Sequence, residues 1–108
     1  MIEPYINKII TGDCLQVLKN LPDESVDLCF ADPPFNLGKM YHQYIDKLSE
    51  KDYLAWSKEW ITELVRITKP TGSIFIHNIP RWLIPYGNYL SEIAHFQHWV
   101  VWNALSRP

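Results

Sequence analysis

The chain has 108 residues, of which 47% are hydrophobic and 20% charged, as in a small folded domain rather than a disordered segment. The formal net charge of −2 provides no basic field of the kind that attracts nucleic acid, which counts against DNA binding by this segment alone. Two isolated cysteines, no signal-peptide pattern and no apolar run near the roughly 18 residues of a membrane span predict a cytoplasmic protein without a membrane partner.

The first predicted elements are a short strand, a helix and a second strand. Residues 7–11, NKIIT, predict a strand that runs into Gly12-Asp13. Asp13 is a natural N-cap for the helix CLQVLKNL, residues 14–21, whose leucines keep a helical spacing. Residues 25–31, SVDLCFA, form a nearly continuous apolar run, which is typical of a strand covered on both faces.

A long loop and a long helix follow. Residues 32–48 predict a loop whose length itself suggests a function. Ser49, with Asp52 three residues later, forms a capping box that opens a helix over residues 50–67. The segment KPTG, residues 69–72, ends that helix.

The remaining pattern completes an α/β order. Residues 73–77, SIFIH, predict a buried strand, and residues 98–103, HWVVWN, predict a last one. Between them a helix is expected over residues 82–94, with its start moved to Tyr86 if Pro85 interrupts it. This order predicts a layered, largely parallel sheet.

Ligands of such sheets bind outside the carboxyl ends of the strands. Two candidate segments follow strands in this way, Gly12-Asp13 and Asp32-Pro33-Pro34-Phe35. The second, residues 32–35, is called the DPPF corner below. Proline fixes φ and lacks an N–H, so few donors compete for the carbonyls of this stiff bend. The corner thus combines acceptor oxygens with the flat ring of Phe35.

An exocyclic amine of a nucleobase fits this combination of groups. Its two N–H groups would point at the Asp32 carboxylate and a proline carbonyl while its ring stacks on Phe35. Accepting both hydrogens turns the nitrogen lone pair out of conjugation and stabilises the positive charge that grows during attack. The base must first leave its duplex. The alternative is a strand-terminating turn with Phe35 in the core, but the preceding strand, Asn36, Gly38 and the long loop favour a site.

At this point the chain resembles a known family. The segment IITGDCLQVLKNLPDESVDLCFADPPFNLGK resembles the amino-terminal part of the permuted DNA amino-methyltransferases, the N6-adenine and N4-cytosine enzymes whose catalytic motif precedes the cofactor motif. The resemblance continues through WSKEWITELVRITKPTGSIFIH and HWVVW, so it spans about residues 7–103. It implies a partial Rossmann-like methyltransferase sheet, S-adenosylmethionine as cofactor and DNA as partner. A homodimer of the full-length enzyme and a cognate restriction endonuclease are further partners that it allows.

The resemblance also implies roles for individual residues. Asp32 and the Pro33 carbonyl would hold the amine, Pro34 would shape the bend and Phe35 would stack on the flipped base. The predicted catalytic residues are therefore the DPPF corner itself. Asp13, which resembles the acidic cofactor motif, is the expected cofactor-binding residue together with Asp32, although an N-cap alone would also explain it.

Residues at the end of the next strand complete the predicted site. Phe35, Asn36 and His77 are the expected substrate-binding residues, with Asn78 beside His77 at the base pocket. A plain strand-end histidine is the alternative for His77. Asp at the first position of the corner favours adenine over cytosine, whose N4 enzymes more often carry Ser there.

Two segments expected from the resemblance do not occur in the 108 residues. No two of the four glycines stand close enough to form the glycine-rich cofactor motif Phe-x-Gly-x-Gly, and no recognition domain is present. In the permuted class both follow the corner along the chain. The chain is therefore expected to be the first third or so of an enzyme, marginally stable and without methyl transfer in isolation. A cytosine-N4 or RNA amino-methyltransferase, and a non-catalytic remnant or nucleic-acid-binding module, are the alternatives.

Several other residues receive simpler interpretations. Trp56 and Trp60 are expected in the core, and no metal site is expected because His95 and His98 have no third ligand near them in sequence. The remaining candidates are loop residues that would either touch the phosphate backbone or be solvated: Lys39, His42 and Lys47.

Overall fold

The architecture comes from a computed structural model that describes residues 1–38, 40–41, 44–45 and 47–103. Its helices, after a short 3₁₀ turn at Glu3–Tyr5, are α1 (Cys14–Lys19), α2 (Glu50–Ile67) and α3 (Pro80–Ile93). Its strands are β1 (Val26–Ala31), β2 (Met40–Tyr41), β3 (Tyr44–Ile45) and β4 (Thr68–Ile76). The predicted α/β class is confirmed.

The central feature is a two-stranded parallel sheet. β1 pairs with β4 in parallel, and the register runs from Leu28 opposite Ser73 to Ala31 opposite Ile76. β2 and β3 form a separate antiparallel hairpin inside the long loop. A parallel pair needs a crossover connection, and α2 provides it between β1 and β4.

The helix α2 ends at Ile67, as predicted, and residues 69–72, which were expected to end it, form a bulge in the strand β4. Val26 pairs with Thr68 whereas Leu28 already pairs with Ser73, so residues 69–72 bulge out of β4. The backbones approach closely here, because a Cβ on Gly72 would lie 2.6 Å from the carbonyl oxygen of Asp27. The KPTG segment therefore breaks the register within β4 instead of preceding the strand.

The core lies between one face of the sheet and two helices. α2 begins as predicted, because the Ser49 hydroxyl accepts the Asp52 N–H over 3.1 Å. Its apolar side meets α3 and the inner residues of the strands. The buried apolar residues are Cys29, Tyr53, Trp60, Ile61, Leu64, Ile67, Trp82 and Tyr86, with Trp56 partly buried against them.

Arg66 attaches the first helix to this core. Its guanidinium donates to the carbonyls of Leu18 and Leu21, at and just beyond the end of α1, and to the carboxylate of Asp23. Glu63, one turn earlier on α2, pairs with the same guanidinium over 3.1 Å. These bonds fix the connection that leads from α1 into β1.

The opposite face of the sheet differs from the prediction. β1 was expected to be covered on both faces, but Leu28, Phe30 and Phe75 are exposed, Phe30 by 67%. Within the described ranges, helices pack only on the face that carries Cys29 and Ile74. The apolar run of β1 therefore has one covered and one open face.

Two predicted strands and one helix start were wrong. Residues 7–11 and 98–103 have no strand structure, since a strand requires a hydrogen-bonded neighbour and no part of the described chain pairs with them. The last helix begins at Pro80, not at residue 82 or Tyr86. Pro80 suits the first turn, and Pro85 is accommodated inside the helix while the buried Trp82 and Tyr86 anchor it.

Candidate active site

The DPPF corner lies where two parallel strands end side by side. Ala31 and Ile76 are the last register partners, and the N–H of His77 continues the ladder to the carbonyl of Ala31 over 2.8 Å. Asp32 and His77 are thus the first residues after the neighbouring strands β1 and β4. This edge of the sheet is where the sequence predicts a ligand site, because ligands of parallel sheets bind outside the carboxyl ends of the strands.

Asp32 and His77 are directly hydrogen-bonded. Nδ1 of His77 lies 2.9 Å from Oδ1 of Asp32, and because a carboxylate only accepts, the imidazole carries its hydrogen on Nδ1. Both side chains remain open to solvent, with 46% of His77 and 62% of Asp32 exposed. Oδ2 of Asp32 accepts no hydrogen bond from the residues that the structure describes. One carboxylate oxygen is therefore oriented by the protein and the other is available.

The ring of Phe35 contacts the same imidazole. The ring centroids of Phe35 and His77 are 5.3 Å apart with an interplanar angle of 69°, an edge-to-face contact. The Phe35 side chain is only partly buried, which excludes it from the fully buried core. His77 thus contacts both the acceptor and the aromatic ring that the sequence assigned to substrate.

Side chains from two helices hold the backbone of the corner. The hydroxyl of Tyr53, on α2, donates to the carbonyl of Pro34 over 2.5 Å. The indole N–H of Trp82, on α3, donates to the carbonyl of Phe35 over 2.7 Å. The carbonyl of Pro33 receives no hydrogen bond within the described part of the chain. Of three consecutive carbonyls, two are bound and one is available.

A buried polar network lies behind these two bonds. The amide of Asn78 donates to the hydroxyls of Tyr53 and Tyr86 over 3.0 and 3.3 Å, and Tyr86 also shares a 2.7 Å hydrogen bond with Ser57. Burial raises the pKa of Tyr86 well above its ordinary value. Asn78, expected at the base pocket, is itself buried and serves this network.

Asn36 closes the long loop. Its amide nitrogen donates to the carbonyl of Leu48 over 2.9 Å, and its amide oxygen accepts from the Leu48 N–H over 2.6 Å. Its backbone is in the left-handed region at φ 60°, which asparagine tolerates better than most residues. The structure therefore places the amide of this predicted substrate contact across the base of the loop.

Asp13 occupies the N-terminus of α1. Its carboxylate accepts the N–H of Leu15 over 3.3 Å, which confirms the predicted N-cap. No hydrogen bond or ion pair connects it to the DPPF corner among the described residues. Partial burial, and then the neighbouring Asp13 charge, raise the pKa of the Cys14 thiol.

The remaining candidates are the two histidines near the end of the chain and three residues of the long loop. His95 and His98 are exposed, and no group of three potential metal ligands occurs in the described ranges. Lys47 is exposed, whereas Lys39 and His42 lie outside the described residues. No helix in the part of the chain that the structure describes is long and apolar enough to cross a membrane.

Sequence reasoning placed Tyr53 and Trp82 within predicted helices, without a role at the site. Each is far from its carbonyl partner along the chain, by 19 and 47 residues. A buried Tyr O–H or Trp N–H usually finds a hydrogen-bond acceptor. The residue type therefore indicates that a bond exists, but not which acceptor it uses.

Comparison with known proteins identifies the class to which this corner belongs. The sequence model of the family described as DNA methylase matches residues 26–107, which include β1, the corner, α2, β4 and α3. The chain therefore belongs to this family, the N6-adenine and N4-cytosine DNA amino-methyltransferases, as the resemblance implied.

Individual relatives agree with the family. The chain is 46% identical over 104 residues to the type II methyltransferase M.BamHI of Bacillus amyloliquefaciens, covering 92% of this chain and 25% of the relative. It is 47% identical over 70 residues to the DNA adenine methyltransferase YhdJ of Escherichia coli strain K12, covering 65% of this chain and 24% of that protein. The chain thus spans about a quarter of the length of these relatives.

A solved structure supports the fold. The PvuII DNA methyltransferase, a cytosine-N4-specific protein, superposes with a TM-score of 0.57 at 22% identity, covering 76% of this chain and 32% of that one. At this identity the likeness concerns the fold alone. The small α/β unit is consistent with part of a methyltransferase sheet.

Proposed function

We propose that this chain carries the base-binding corner of a DNA amino-methyltransferase, which transfers a methyl group to an exocyclic amine of an extruded base. The observation that carries the proposal is that Oδ2 of Asp32 and the carbonyl of Pro33 accept no hydrogen bond from the described residues, while the partly buried ring of Phe35 contacts His77, the partner of Asp32. A planar amine has two N–H groups and a flat ring, so it matches these three features.

The chemistry follows from the acceptors. The lone pair of a nucleobase amine is delocalised into its ring, which makes the nitrogen a weak nucleophile. Asp32 and the Pro33 carbonyl accept hydrogen bonds from its two N–H groups, favour a pyramidal nitrogen and stabilise the positive charge that develops there as the N–C bond forms and the C–S bond to the methyl group breaks. The methylated nitrogen then loses one proton to solvent. His77 holds Oδ1 of Asp32 during this step. The corner therefore orients the amine and lowers the barrier electrostatically.

Adenine N6 is the proposed target. Asp32 at the first position of the corner supports adenine, as does the 47% identity to a relative named as a DNA adenine methyltransferase. The base has to leave its duplex to reach the corner, at a cost of a few kcal/mol. Stacking on Phe35 returns about 1–3 kcal/mol of that cost.

S-adenosylmethionine is the proposed cofactor, and the residues present fit one side of it. When bound, it supplies an electrophilic methyl group on a sulfonium sulfur. The exposed Asp13 carboxylate uses one oxygen as a helix cap and has a second for the hydroxyls of the adenosine part. Asp32 would face the reacting end. The sequence contains no glycine-rich segment to enclose the remainder of the molecule.

The experiment that tests the function is a chimera in which this chain replaces the matching quarter of M.BamHI. The chimera is incubated with plasmid DNA and S-adenosylmethionine, and the DNA is digested to nucleosides for mass spectrometry. We expect a methylated exocyclic amine in the base that the parent enzyme methylates, because the recognition part of the chimera comes from the parent. The parent enzyme is the positive control, and a chimera with Phe35→Ala, which removes the stacking ring, is the negative one.

The other outcomes separate the alternatives. The target base is tested in a second chimera, in which this chain replaces the matching part of the DNA adenine methyltransferase YhdJ and N6-methyladenine is expected. A folded YhdJ chimera that methylates no adenine, alongside an active M.BamHI chimera, would refute adenine as the target. Methylation of RNA but not DNA would refute the substrate class. A folded chimera that methylates neither, alongside an active parent, would contradict the function and favour a non-catalytic module.

A further inference from the structure

We propose that Tyr53 and Trp82 are positioning residues of the DPPF corner, which fix its backbone so that the Pro33 carbonyl is the one left for the substrate amine. The inference rests on the proposed function, because it assigns the amine to that carbonyl. Neither residue touches the base in this proposal. Both act through the backbone that they bind.

The need for outside support follows from the sequence of the corner. Pro33 and Pro34 have no N–H, so neither can be held through a backbone donor of its own. The carbonyls of Pro34 and Phe35 are instead bound by the Tyr53 hydroxyl and the Trp82 indole, over 2.5 and 2.7 Å. Side chains thus replace the missing main-chain bonds at the point where β1 ends.

The direction of the Tyr53 bond is also determined. Its hydroxyl accepts a hydrogen from the Asn78 amide over 3.0 Å, so its own hydrogen is free to point at Pro34. Tyr53 and Trp82 are each only 2% exposed, and their ring centroids lie 4.7 Å apart. Two helices therefore reach the corner through a pair of packed rings that have little room to move.

The hydrogen bonds to the carbonyls of Pro34 and Phe35 restrict the orientation of the Pro33 carbonyl. With the Pro34 and Phe35 carbonyls bound inside the protein, and with φ fixed in both prolines, the peptide that carries the Pro33 oxygen has few orientations left. That oxygen and Oδ2 of Asp32 are then presented together. A displacement of about 1 Å at such a site can lower a reaction rate about a hundredfold.

A purely structural role is the alternative, because any buried hydroxyl needs a partner. The chain offers a matched control in Tyr86, which is equally buried and belongs to the same network but does not touch the corner. Tyr53→Phe and Tyr86→Phe each delete one buried hydroxyl and keep the ring. Only Tyr53→Phe removes the hydrogen bond to the Pro34 carbonyl.

The first experiment uses the 108-residue chain labelled with ¹⁵N in its tryptophan indoles. Trp82→Phe assigns the Nε1–H signal of Trp82, and its exchange with D₂O is measured in both tyrosine variants. We expect Tyr53→Phe to speed that exchange about tenfold or more and Tyr86→Phe to leave it within about twofold. Equal effects of both variants, or no effect of either, would overturn the inference.

The second experiment measures methyl transfer in the M.BamHI chimera. Tyr53→Phe and Trp82→Phe should each lower kcat about ten- to a hundredfold, with the KM for DNA little changed, whereas Tyr86→Phe stays within about twofold. Melting temperatures of all variants are measured, so that unfolding is recognised. Equal kcat losses in Tyr53→Phe and Tyr86→Phe would refute positioning. If the unsubstituted chimera transfers no methyl group, the proposed function fails and the assignment of the amine to the Pro33 carbonyl fails with it. The indole measurement then decides only whether Tyr53 and Trp82 together fix the backbone of the corner.

Discussion

Nδ1 of His77 donates to Oδ1 of Asp32 over 2.9 Å, and this bond joins the carboxyl ends of β1 and β4. The two residues are 45 positions apart in sequence and adjacent only because the strands run parallel in this register. The same imidazole contacts the ring of Phe35. One side chain thus aligns both the carboxylate and the aromatic ring of the DPPF corner.

This relationship predicts different results for two substitutions of His77. His77→Asn keeps an N–H donor close to the position of Nδ1, whereas His77→Ala removes it. In the chimera we expect His77→Ala to lower methyl transfer about tenfold and His77→Asn to stay within about threefold, because one hydrogen bond to a charged group is at stake. Initial rates of methyl incorporation measure this.

The same substitutions should hardly affect folding. The pair is largely exposed to solvent, so it contributes about 0–1 kcal/mol to stability. Equal activity losses in the two variants would contradict the positioning of Asp32 by His77. A large loss of stability in both would indicate that the pair is structural.

The surroundings of two glycines predict opposite effects of alanine on the free energy of unfolding. A Cβ on Gly72 would meet the Asp27 carbonyl at 2.6 Å and the Thr68 methyl at 2.8 Å, so Gly72→Ala should lower the free energy of unfolding by about 1–3 kcal/mol. Gly87, inside α3, has nothing within 4 Å of its Cβ position. Gly87→Ala should therefore raise the free energy of unfolding by about 0.5–1 kcal/mol.

Urea unfolding followed by circular dichroism measures both glycine variants. A neutral Gly72→Ala would mean that the bulge at residues 69–72 relaxes easily. A destabilising Gly87→Ala would contradict the open space at the Cβ position of this residue.

The raised pKa of Tyr86 predicts alkaline destabilisation. Burial raises the pKa of the Tyr86 phenol, so in the folded chain this group stays protonated above pH 10. In the unfolded chain the phenol has its ordinary pKa of 10.0 and loses the proton there. The folded state then binds more protons than the unfolded state, so the free energy of unfolding falls as pH rises above about 10. Its contribution is fully present below that pH.

Tyr86→Phe isolates this effect. The variant lacks the titrating group, so its free energy of unfolding should fall less steeply between pH 9 and pH 11 than that of the unsubstituted chain, measured by urea unfolding at each pH. Parallel slopes in the two proteins would contradict the assignment to Tyr86.

The 108-residue chain by itself is predicted to transfer no methyl group. Asp13 is the carboxylate proposed for the adenosine part of S-adenosylmethionine, and the 108 residues contain no glycine-rich segment to enclose the rest. The measurement uses S-adenosylmethionine with a tritiated methyl group and counts tritium in recovered DNA, with the M.BamHI chimera as positive control. Tritium in DNA after incubation with this chain alone would contradict the prediction.

Much of the framework could be predicted because local signals were strong. The capping box at Ser49 and the apolar stripe after it give α2 its bounds, and the apolar runs of β1 and β4 end where the chain turns to Asp32 and His77. Parallel strand ends then bring those two residues together. This is a consequence of topology, and it needed no knowledge of side-chain packing.

The rest depended on contacts that a local pattern does not contain. Residues 7–11 and 98–103 have strand-forming sequences, but a strand forms only where another strand accepts its hydrogen bonds. The roles of Tyr53 and Trp82 depend on where their polar tips lie after α2 and α3 pack against the sheet. Asn36 is a predicted substrate contact, and the sequence pattern did not show that its amide is hydrogen-bonded to Leu48.

The most direct test of the account is Asp32→Ala in the M.BamHI chimera, with methyl transfer to DNA and S-adenosylmethionine binding measured on the same preparation. Because Asp32 is assigned to the amine, transfer should fall at least about a hundredfold while the dissociation constant of the cofactor changes by less than about threefold. Unchanged transfer, or a loss explained entirely by weaker cofactor binding, would contradict the assignment of this carboxylate to the substrate amine.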